Sequence, residues 1–364
     1  MKLAEIIAAF ESFAPLYCQE SYDNTGLAFG HTDSEINAAL LCIDVTEAVL
    51  EEAIAAGVNL VISHHPVIFP NLKRLTGSSH AERVLLKAIR NNIALYSAHT
   101  NLDNVFEGVN QKICQKLGLY NTRILSPAQH MLRKLVTFVP QSHADKVRTA
   151  LFNAGAGHIG KYDSCSFNMA GKGSFRALNS AKPFTGEIGK LHFEEETRIE
   201  TIFPVFLRSK LIDALMEVHP YEEVAYDILP LDNEYAFSGA GMIGELNDRA
   251  ATMDFLKQVK EAFGCQVLRY TPVTCDTVQK IAVCGGSGSM LIPRAVSAGA
   301  DLFITGDIRY HQFFETEGRL ILVDIGHYES ERFTIEIFYE ILKKKLPNFA
   351  VRFSSINTSP INYL

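Results

Sequence analysis

The two ends of the chain carry the same short pattern of apolar and small residues. AIAAGVNLVISHH (53–65) aligns without gaps on AVSAGADLFITGD (295–307). A slightly shorter shift aligns IALYSAH-TNLD with LILVDIGH-YESE, which pairs His99 with His327 and Asp103 with Glu331. Short apolar segments of all α/β units resemble one another, so chance is an alternative for each segment alone. Agreement of the segments in the same order favours an internal repeat.

Each end of the chain alternates between apolar strands and helical patterns. The alternation runs from the N-terminus to about residue 118 and returns from about residue 280 to the C-terminus. This order is typical of βαβ units, in which parallel strands form a sheet with helices packed on its faces. We therefore predict an α/β fold in which two similar halves, from the first and last thirds of the chain, form one core.

Between the two halves the order of elements changes. Residues 131–235 contain a strand, a helix, two candidate strands, a helix and a strand, which is the β-α-β-β-α-β order of ferredoxin-like domains. We predict that this segment is an inserted α+β domain, that residues 1–130 are the first half of the core and that residues 236–364 are the second. FSGAGMIG (237–244) is predicted to be the linker that returns the chain to the core.

Composition narrows the possible functions. The 364 residues have a net charge of −7 and a pI near 6.0, so the chain lacks the basic surface that sequence-independent phosphate binding requires, and we expect no nucleic-acid partner. The seven scattered cysteines contain no C-x-x-C pair, which argues against a disulfide framework and a thiolate zinc site. No uncharged apolar stretch approaches the ~20 residues that span a bilayer. We expect a soluble, cytoplasmic protein that does not enter membranes.

The stretch VNLVISHHPVIFP (58–70) ends an apolar strand in two histidines and a proline. Successive side chains of a strand point to opposite faces, so His64 and His65 can serve one site only where the strand has ended. Pro66 supplies that ending because it fixes its own φ and cannot donate to a sheet. In open α/β sheets, ligands bind beyond the carboxyl ends of the strands, where both histidines lie. Two histidines that merely cap the strand are the alternative.

Two further strands end in side chains that bind metals. IALYSAHTNLD offers His99 and Asp103 beyond its strand. LILVDIGHYESE offers His327 and Glu331, which are four residues apart at the start of a helix and therefore share a face. Glu329 is expected to point away from them. A carboxylate that complements the helix macrodipole explains one glutamate, but not the histidine before it.

The sequence therefore predicts a metal site, whose ligands are His64, His65, Asp103, His327 and Glu331. Three imidazoles and two carboxylates suit first-row ions such as zinc, iron or manganese. Five ligands are too many for one open catalytic ion, but they fit two divalent ions per subunit about 3.5–4 Å apart. Glu331 is expected to bridge the ions because a helix-borne glutamate has the longer reach. Such a site activates water to hydrolyse a bond or to deaminate a ring.

Six motifs resemble those of a known family: DNTGLAFG, ISHHP, AHTNLD, CGGSGS, TGDIRYH and DIGHYESE. The family is that of the GTP cyclohydrolase 1 type 2 homologues, also called NGG-one-interacting-factor-three-like proteins. The resemblance covers both terminal thirds and implies a dinuclear metal centre with the same five ligands. Longer bacterial members carry an inserted domain similar to PII and CutA proteins, which residues 131–235 resemble. The resemblance also implies a homo-oligomer, a hexameric ring with the metal sites facing its interior.

The resemblance leaves the reaction open. A GTP cyclohydrolase adds metal-activated water to the purine ring, yet the sequence contains no recognisable guanine pocket or P-loop. The first hypothesis is a metal-dependent hydrolase that acts on a nucleotide-like or phosphorylated small molecule, with His311 or His99 as the acid/base group. The alternative is a non-catalytic metal-binding ring that stores, delivers or senses metal, with the inserted domain as an effector or assembly module.

Several residues near the predicted ligands have two interpretations. CGGSGS (284–289) is typical either of a phosphate cradle at a helix start or of an ordinary turn. His99, His311 and Asp307 are candidates for groups that orient the metal ligands, with satisfied polar residues as the alternative. Asp23 either lines the mouth of the cleft or forms a turn.

Overall fold

The structure, a computed structural model, describes residues 1–68 and 72–364, so the last two residues of the stretch 58–70 lie outside the described residues. The chain divides into two compact units. The larger unit consists of Met1–Pro127 and Ala236–Leu364, and the smaller unit consists of Ala128–Tyr235. Within the described residues, no helix has both the length and the apolar character that crossing a bilayer requires.

Five strands form the first sheet of the larger unit. They are β1 (Gly26–Phe29), β2 (Ala38–Cys42), β3 (Leu60–Ser63), β4 (Ala94–Ser97) and β15 (Ala350–Phe353). Their order across the sheet is β1-β4-β3-β2-β15. The strands β15, β2, β3 and β4 are parallel, and β1 is antiparallel to β4 at the edge. Because β15 comes from the C-terminal third, both ends of the chain contribute to one sheet.

Six strands form the second sheet of the larger unit. They are β5 (Tyr120–Ala128), β10 (Tyr235–Ala251), β11 (Arg269–Tyr270), β12 (Thr277–Ser287), β13 (Leu302–Gly306) and β14 (Ile321–Asp324). Their order is β11-β14-β13-β12-β10-β5. The strands β12, β13 and β14 are parallel neighbours, as are β2, β3 and β4 in the first sheet. The predicted repeat segments therefore lie in equivalent central strands, β3 and β13.

The predicted linker FSGAGMIG is wrong, because these residues lie inside β10, and the last three of them, Met242, Ile243 and Gly244, pair with β12. Glycine in this segment allows neighbouring atoms to pack closely and does not provide a flexible connection. Gly241 has a φ of +64°, and a Cβ atom at this position would lie 2.7 Å from the Leu291 side chain and 3.0 Å from the Val283 carbonyl oxygen. Glycine is the residue that accommodates this left-handed backbone and this close approach.

Helices cover the faces of both sheets. Those of the larger unit are α1 (Leu3–Glu11), α2 (Glu47–Ala55), α3 (His80–Arg90), α4 (Thr100–Asn104), α5 (Val109–Lys116), α8 (Thr252–Phe263), α9 (Ile292–Ser297), α10 (His327–Glu331) and α11 (Thr334–Lys345), with short 3₁₀ turns at Leu16–Cys18, Ser289–Leu291 and Tyr310–Thr316. Local sequence explains two of the starts, since the hydroxyls of Thr46 and Ser79 accept hydrogen bonds from backbone N–H groups in the first turns of α2 and α3.

One buried apolar cluster joins the two halves of the larger unit. It contains Leu41 and Ile62 from the first sheet together with Val283 and Ile304 from the second. Burial of this surface is the main force that holds the halves together. The prediction of an α/β fold is confirmed, and the first and last thirds of the chain share one core.

The smaller unit consists of one antiparallel sheet and two helices. Its elements are β6 (Leu132–Pro140), α6 (Ala144–Asn153), β7 (Phe167–Arg176), β8 (Leu191–Pro204), α7 (Arg208–Val218) and β9 (Tyr226–Pro230), with 3₁₀ turns at Gln141–His143 and Val205–Leu207. The order of the strands is β7-β8-β6-β9. The helices pack on one face of the sheet, where Val147 and Leu211 meet Leu135 and Phe203. The strand β7 is exposed along most of its length.

Candidate metal centre

The strands β3 and β4 of the first sheet and β14 of the second end at the centre, and each end is followed by side chains of the types that bind metals. His64 and His65 follow β3, His99 and Asp103 follow β4, and α10 with His327 and Glu331 follows β14. The backbone N–H groups of His64 and His65 both donate to the Ile43 carbonyl, at 3.1 and 3.0 Å. Two successive donors on one acceptor are incompatible with a continuing strand, so both imidazoles lie at the same end of the sheet.

Three overlapping groups of side chains place their ligand atoms within 4.8 Å of one another. The groups are His64, His65 and His99; His65, His327 and Glu331; and His64, Asp103 and Glu331. The structure thus brings together the five residues that the sequence analysis selected, and it adds His99. Glu331 belongs to two of the groups and is 3% exposed.

The buried atoms around His64 have the polarity of a cation site. Its Nδ1–H donates to the Ala98 carbonyl at 2.9 Å, so its Nε2 carries a lone pair. That lone pair faces Asp103 Oδ1 at 3.6 Å and Glu331 Oε1 at 3.5 Å. His64 Nε2 and Asp103 Oδ1 are both buried and have no hydrogen-bond partner in the structure. Electron pairs converging on one point fit a metal ion, because leaving them unpaired in a buried site is costly.

The second group is built around the other oxygen of Glu331. Its Oε2 lies 3.0 Å from His65 Nε2 and 3.1 Å from His327 Nε2. The Nδ1 atoms of these imidazoles bond to carboxylates, with His65 at 2.7 Å from Asp44 and His327 at 2.7 Å from Asp307. A carboxylate on Nδ1 fixes the tautomer and the ring orientation of a ligating histidine and makes its Nε2 a better ligand.

The pKa values of these groups reflect the carboxylates that surround the imidazoles. Burial opposes a charged His65, but its hydrogen bonds to Asp44 and Glu331 raise its pKa to about 10. The pKa of His327 rises to about 9, since its bond to Glu331 outweighs burial. Burial would raise the pKa of Glu331, yet the surrounding imidazoles hold it well below its usual range. Protons on two imidazoles thus supply the charge that a metal ion would supply.

For the two remaining candidate ligands, Asp103 and His64, the pKa shifts favour the neutral form instead of the charged form. Burial is the main cause that raises the pKa of Asp103 well above its usual range, and the nearby Glu331 carboxylate adds to it. Burial lowers the pKa of His64. Both shifts favour the neutral form, which is the protonated carboxyl of Asp103 and the deprotonated imidazole of His64. Because a carboxyl group ligates as its carboxylate, Asp103 would release a proton on binding a metal ion.

The glycine-rich segment CGGSGS, which the sequence analysis took for a phosphate cradle or a turn, is mostly the end of β12 and lies directly against the candidate ligands. The Gly286 N–H donates to the Ser330 hydroxyl at 2.9 Å, and the φ of Gly286 is +61°. A Cβ atom at Gly286 would overlap Glu331 Oε1 and lie 3.3 Å from the His327 ring. The segment therefore packs against the Glu331 carboxylate, and this close approach requires a glycine at position 286.

Asp23 holds the imidazole of His99. Its Oδ1 lies 2.9 Å from His99 Nδ1, and its Oδ2 accepts hydrogen bonds from the N–H and the hydroxyl of Thr100. Burial opposes ionisation of Asp23, but these hydrogen bonds outweigh it and hold its pKa below the usual range. Asp23 thus does more than form a turn, since it orients a histidine of the cluster.

His311 lies apart from these groups. It is exposed in the turn Tyr310–Thr316, where its ring is 5.2 Å from that of Tyr310 in an edge-on arrangement. Within residues 1–68 and 72–364, no hydrogen bond or ion pair joins His311 to the cluster. Its role as an acid/base group stays a prediction.

A polar cavity of about 560 Å³ adjoins the centre. Its lining consists of Arg269, Ser287, Ser289, Asp307, Ile308, Arg309 and Gln312. Asp307 connects the two sites because its carboxylate lines the cavity and accepts from His327. Arg269 is paired with the buried Asp324, whereas Arg309 forms no ion pair with any residue that the structure describes. The cavity thus offers one free guanidinium beside the metal ligands.

Comparison with known proteins places the chain in a family. The Duf34/NIF3 (NGG1p interacting factor 3) family profile matches residues 1–360. The chain belongs to the Duf34/NIF3 family. Two curated relatives, from Bacillus subtilis and Halalkalibacterium halodurans, are each named GTP cyclohydrolase 1 type 2 homolog. Both are 38% identical to this chain. The alignment with the first relative covers 99% of this chain and 98% of the relative, and the alignment with the second covers 100% of each.

Solved structures of Duf34/NIF3 relatives agree with this assignment. A Bacillus cereus protein related to NIF3 is 38% identical and matches with a TM-score of 0.83 over 100% of this chain and 99% of the other. A Staphylococcus aureus protein that is 28% identical matches with a TM-score of 0.80 over the same shares. The resemblance inferred from the six motifs is confirmed.

One supporting residue of this Duf34/NIF3 chain escaped the sequence analysis. Asp44 bonds to His65 Nδ1, and it accepts a hydrogen bond from the Thr358 hydroxyl at 2.7 Å. It follows the carboxyl end of β2, which is the neighbour of β3 in the sheet. Extending the search from β3 and β4 to the end of the adjacent strand would have found it.

Proposed function

We propose that this protein binds two divalent metal ions and is a hydrolase that uses water activated by them on a nucleotide-like or phosphorylated small molecule. The observation that carries the proposal is the position of Glu331. Its Oε1 faces His64 and its Oε2 faces His65 and His327, so one carboxylate serves two groups of ligand atoms. Bridging by a carboxylate is typical of paired hydrolytic ions.

Each ion would have three protein ligands. One set is His65, His327 and Glu331, and the other is His64, Asp103 and Glu331. A mixture of imidazole and carboxylate ligands suits zinc, iron or manganese. Three protein ligands leave a position for water or substrate, which supports catalysis over closed storage. When bound, the ions supply Lewis-acid activation of water and of the bond to be broken.

His99 is our first choice for the group that moves the proton. Asp23 fixes its ring beside His64 and His65, whose ring centroids lie 5.2 and 5.3 Å away. A general acid or base requires such a fixed position near the reacting water. His311 is the second choice, because it is exposed on a turn that neighbours the polar cavity.

The polar cavity supports a phosphorylated substrate. The free guanidinium of Arg309 and the hydroxyls of Ser287 and Ser289 are donors suited to phosphate oxygens. Gln312 donates to Ser289 at 2.9 Å and accepts from the Arg309 N–H at 2.8 Å, which holds this wall in place. A substrate phosphate here would leave the rest of the molecule beside Asp307 and the ligands.

Metal storage, delivery or sensing is the second candidate function. Complete burial of His64 favours it, since a buried ligand slows exchange of its metal. The two functions differ in one measurable respect, because only a hydrolase turns over a substrate when loaded with metal.

We also propose that the middle of the chain, residues 131–235, is an inserted ferredoxin-like domain similar to PII and CutA proteins, between halves at 1–130 and 236–364. The order β7-β8-β6-β9 and the two helices on one face support this. A homohexameric ring and a cytoplasmic location are further parts of the proposal, and they rest on the family resemblance.

The decisive experiment strips the protein of metal and reloads it with zinc, manganese or iron. Each form is then assayed against panels of nucleotides and phosphoesters. We expect turnover only in a reloaded form, with Glu331→Gln inactive and Glu329→Gln active. Arg309→Met should raise the KM for phosphorylated substrates by about tenfold without lowering metal content. Equal turnover by stripped and reloaded protein, or no turnover of any substrate, would contradict the hydrolase.

A further inference from the structure

The smaller unit contains a cavity of about 570 Å³, which is independent of the metal centre. Part of its wall is the exposed strand β7, and the rest comes from β6, from β8, from the segment that follows β7 and from the turn before β9. Its volume is in the range of pockets that bind small molecules. Four aromatic rings line it, namely Phe138, Phe175, Phe184 and Tyr221.

Two of the aromatic rings of the lining lie beside that of Tyr221. The centroid of its ring lies 6.2 Å from that of Phe175 and 6.2 Å from that of Phe184, with interplanar angles of 57° and 51°. Rings inclined in this way do not stack fully on one another, so ring surface is left for a ligand. Phe184 is 52% exposed, although burial of such a side chain is favourable.

The charged residues of the lining leave an excess of negative charge. The two cations are paired with carboxylates outside the lining, Lys172 with Glu195 at 3.8 Å and Arg198 with Glu200 at 2.8 Å. The three carboxylates of the lining, Glu196, Glu222 and Glu223, have no cationic partner among the residues that the structure describes.

Glu196 is held in position by its neighbours. Its Oε1 accepts a hydrogen bond from the Tyr221 hydroxyl at 2.8 Å, and its carboxylate lies so close to Gly173 that a Cβ atom there would overlap it. Glu222 accepts from the Lys182 N–H at 2.7 Å, which fixes the segment that carries Phe184. A carboxylate and aromatic rings are therefore presented together by a preformed wall.

The cavity already contains one contact of the kind that it would offer to a ligand. The guanidinium carbon of Arg198 lies 5.8 Å from the centroid of the Phe138 ring. Cations within about 6 Å of a ring centroid are attracted by the ring face, and small organic cations are recognised in proteins by such rings. An anionic ligand would instead meet three carboxylates that have no cationic partner, while both cations of the lining are already paired.

We propose that this cavity binds a small organic cation, an amine or a guanidinium compound, whose charge lies at Glu196 and whose apolar part contacts Phe175, Phe184 and Tyr221. The proposal goes beyond the metal-dependent function, and neither depends on the other.

The test is titration calorimetry of the full chain with choline, agmatine and phenethylammonium. Neohexyl alcohol, in which a quaternary carbon replaces the ammonium nitrogen of choline, is the uncharged control, and pivalate is the anionic control. We expect saturable binding of at least one cation, and we expect both controls to bind at least about tenfold more weakly than that cation. Isotope-labelled methionine methyl groups locate the site, because the resonance of Met169 in the lining should shift while that of Met253 on α8 should not.

Two substitutions test the residues. Glu196→Gln keeps an acceptor for Tyr221 and should weaken cation binding about tenfold, and Phe184→Ala should weaken it several-fold. Glu217→Gln makes the same chemical change on the exposed side of α7, outside the lining, and should leave binding unchanged. The proposal is overturned if no cation binds, if neohexyl alcohol binds as tightly as choline, or if Glu196→Gln and Glu217→Gln bind alike.

Discussion

The Nε2 atom of His65 lies 3.0 Å from the Oε2 atom of Glu331, although the two residues are 266 positions apart in the chain. One residue follows the central strand of the first sheet, and the other lies in the helix after β14 of the second. The contact therefore forms only when both halves of the larger unit have folded against each other.

Glu331→Gln should abolish most metal binding, because the carboxylate serves both groups of ligands. Loss of even an outer partner of a ligand costs about 10–100-fold in metal affinity, so we expect a loss of more than about 100-fold here. Metal analysis of the purified protein measures it. Glu329→Gln is the matched control, since Glu329 lies in the same helix but in none of the three groups. Similar metal contents in the two variants would contradict the assignment.

Gly286→Ala should also lower metal affinity, because the added Cβ displaces the Glu331 carboxylate. Gly318→Ala is a close control: its φ is +70°, beside +61° for Gly286, but a Cβ at Gly318 meets no atom within 4 Å. Both variants carry a backbone cost of about 1 kcal/mol at these positive φ angles. The midpoint temperature of thermal unfolding should therefore fall in both variants, whereas the content of bound metal should fall only in Gly286→Ala. Retention of full metal content in Gly286→Ala would disprove the contact.

Asp44→Asn should weaken metal binding by about 10–100-fold, because it removes the carboxylate that orients His65. Competition with a chromophoric chelator measures the affinity. Asp33→Asn serves as the control, since this carboxylate lies 3.7 Å from His31, an exposed histidine outside the centre. If Asp44→Asn and Asp33→Asn bind metal equally well, His65 does not depend on Asp44.

Phe338→Ala should destabilise the larger unit by about 3–5 kcal/mol. The side chain is fully buried, and its ring lies 5.5 Å from that of Phe10, so it joins α11 to α1 across the ends of the chain. Tyr339→Ala, in the same helix, should cost less because Tyr339 is 36% exposed. Denaturant unfolding measures both changes, and equal losses would argue against a core shared by the two ends.

Glu82 should make stability depend on pH in the acid range. Hydrogen bonds from Thr76, and then from Ser78, lower its pKa from 4.5 to about 2. A carboxyl group whose pKa is lower in the folded state stabilises the fold above its unfolded pKa, and this stability is lost as the pH falls toward the folded value. The difference in unfolding free energy between the natural chain and Glu82→Gln should therefore shrink between pH 5 and about pH 2. Glu261→Gln on α8 is the control, and a difference that stays constant with pH would refute the prediction.

A general rule explains part of the convergence of the candidate ligands. Side chains that follow parallel strands meet at one edge of a sheet, which accounts for His64, His65 and Asp103 after β3 and β4. Their approach to His327 and Glu331, which follow β14 of the second sheet, depends on the packing of the two sheets and was indicated only by the internal repeat. The α/β class followed in the same way from the alternation of apolar strands and helices.

Other features depend on contacts that no local pattern encodes. The support of Glu331 by Gly286 is visible only when α10 lies against β12, and FSGAGMIG looks like a linker until its pairing with β12 is known. Turn residues and close-packed strand glycines have the same local sequence. The charge excess in the cavity of the smaller unit likewise arises from the pairing of Lys172 and Arg198 elsewhere.

The order of the ligand residues along the chain has a consequence for biosynthesis. Translation produces His64, His65 and Asp103 early, but Glu331 appears only when nine-tenths of the 364 residues have been made. A nascent polypeptide on the ribosome therefore cannot assemble the complete set of proposed ligands, and we expect acquisition of the proposed metal ions to follow the synthesis of both halves.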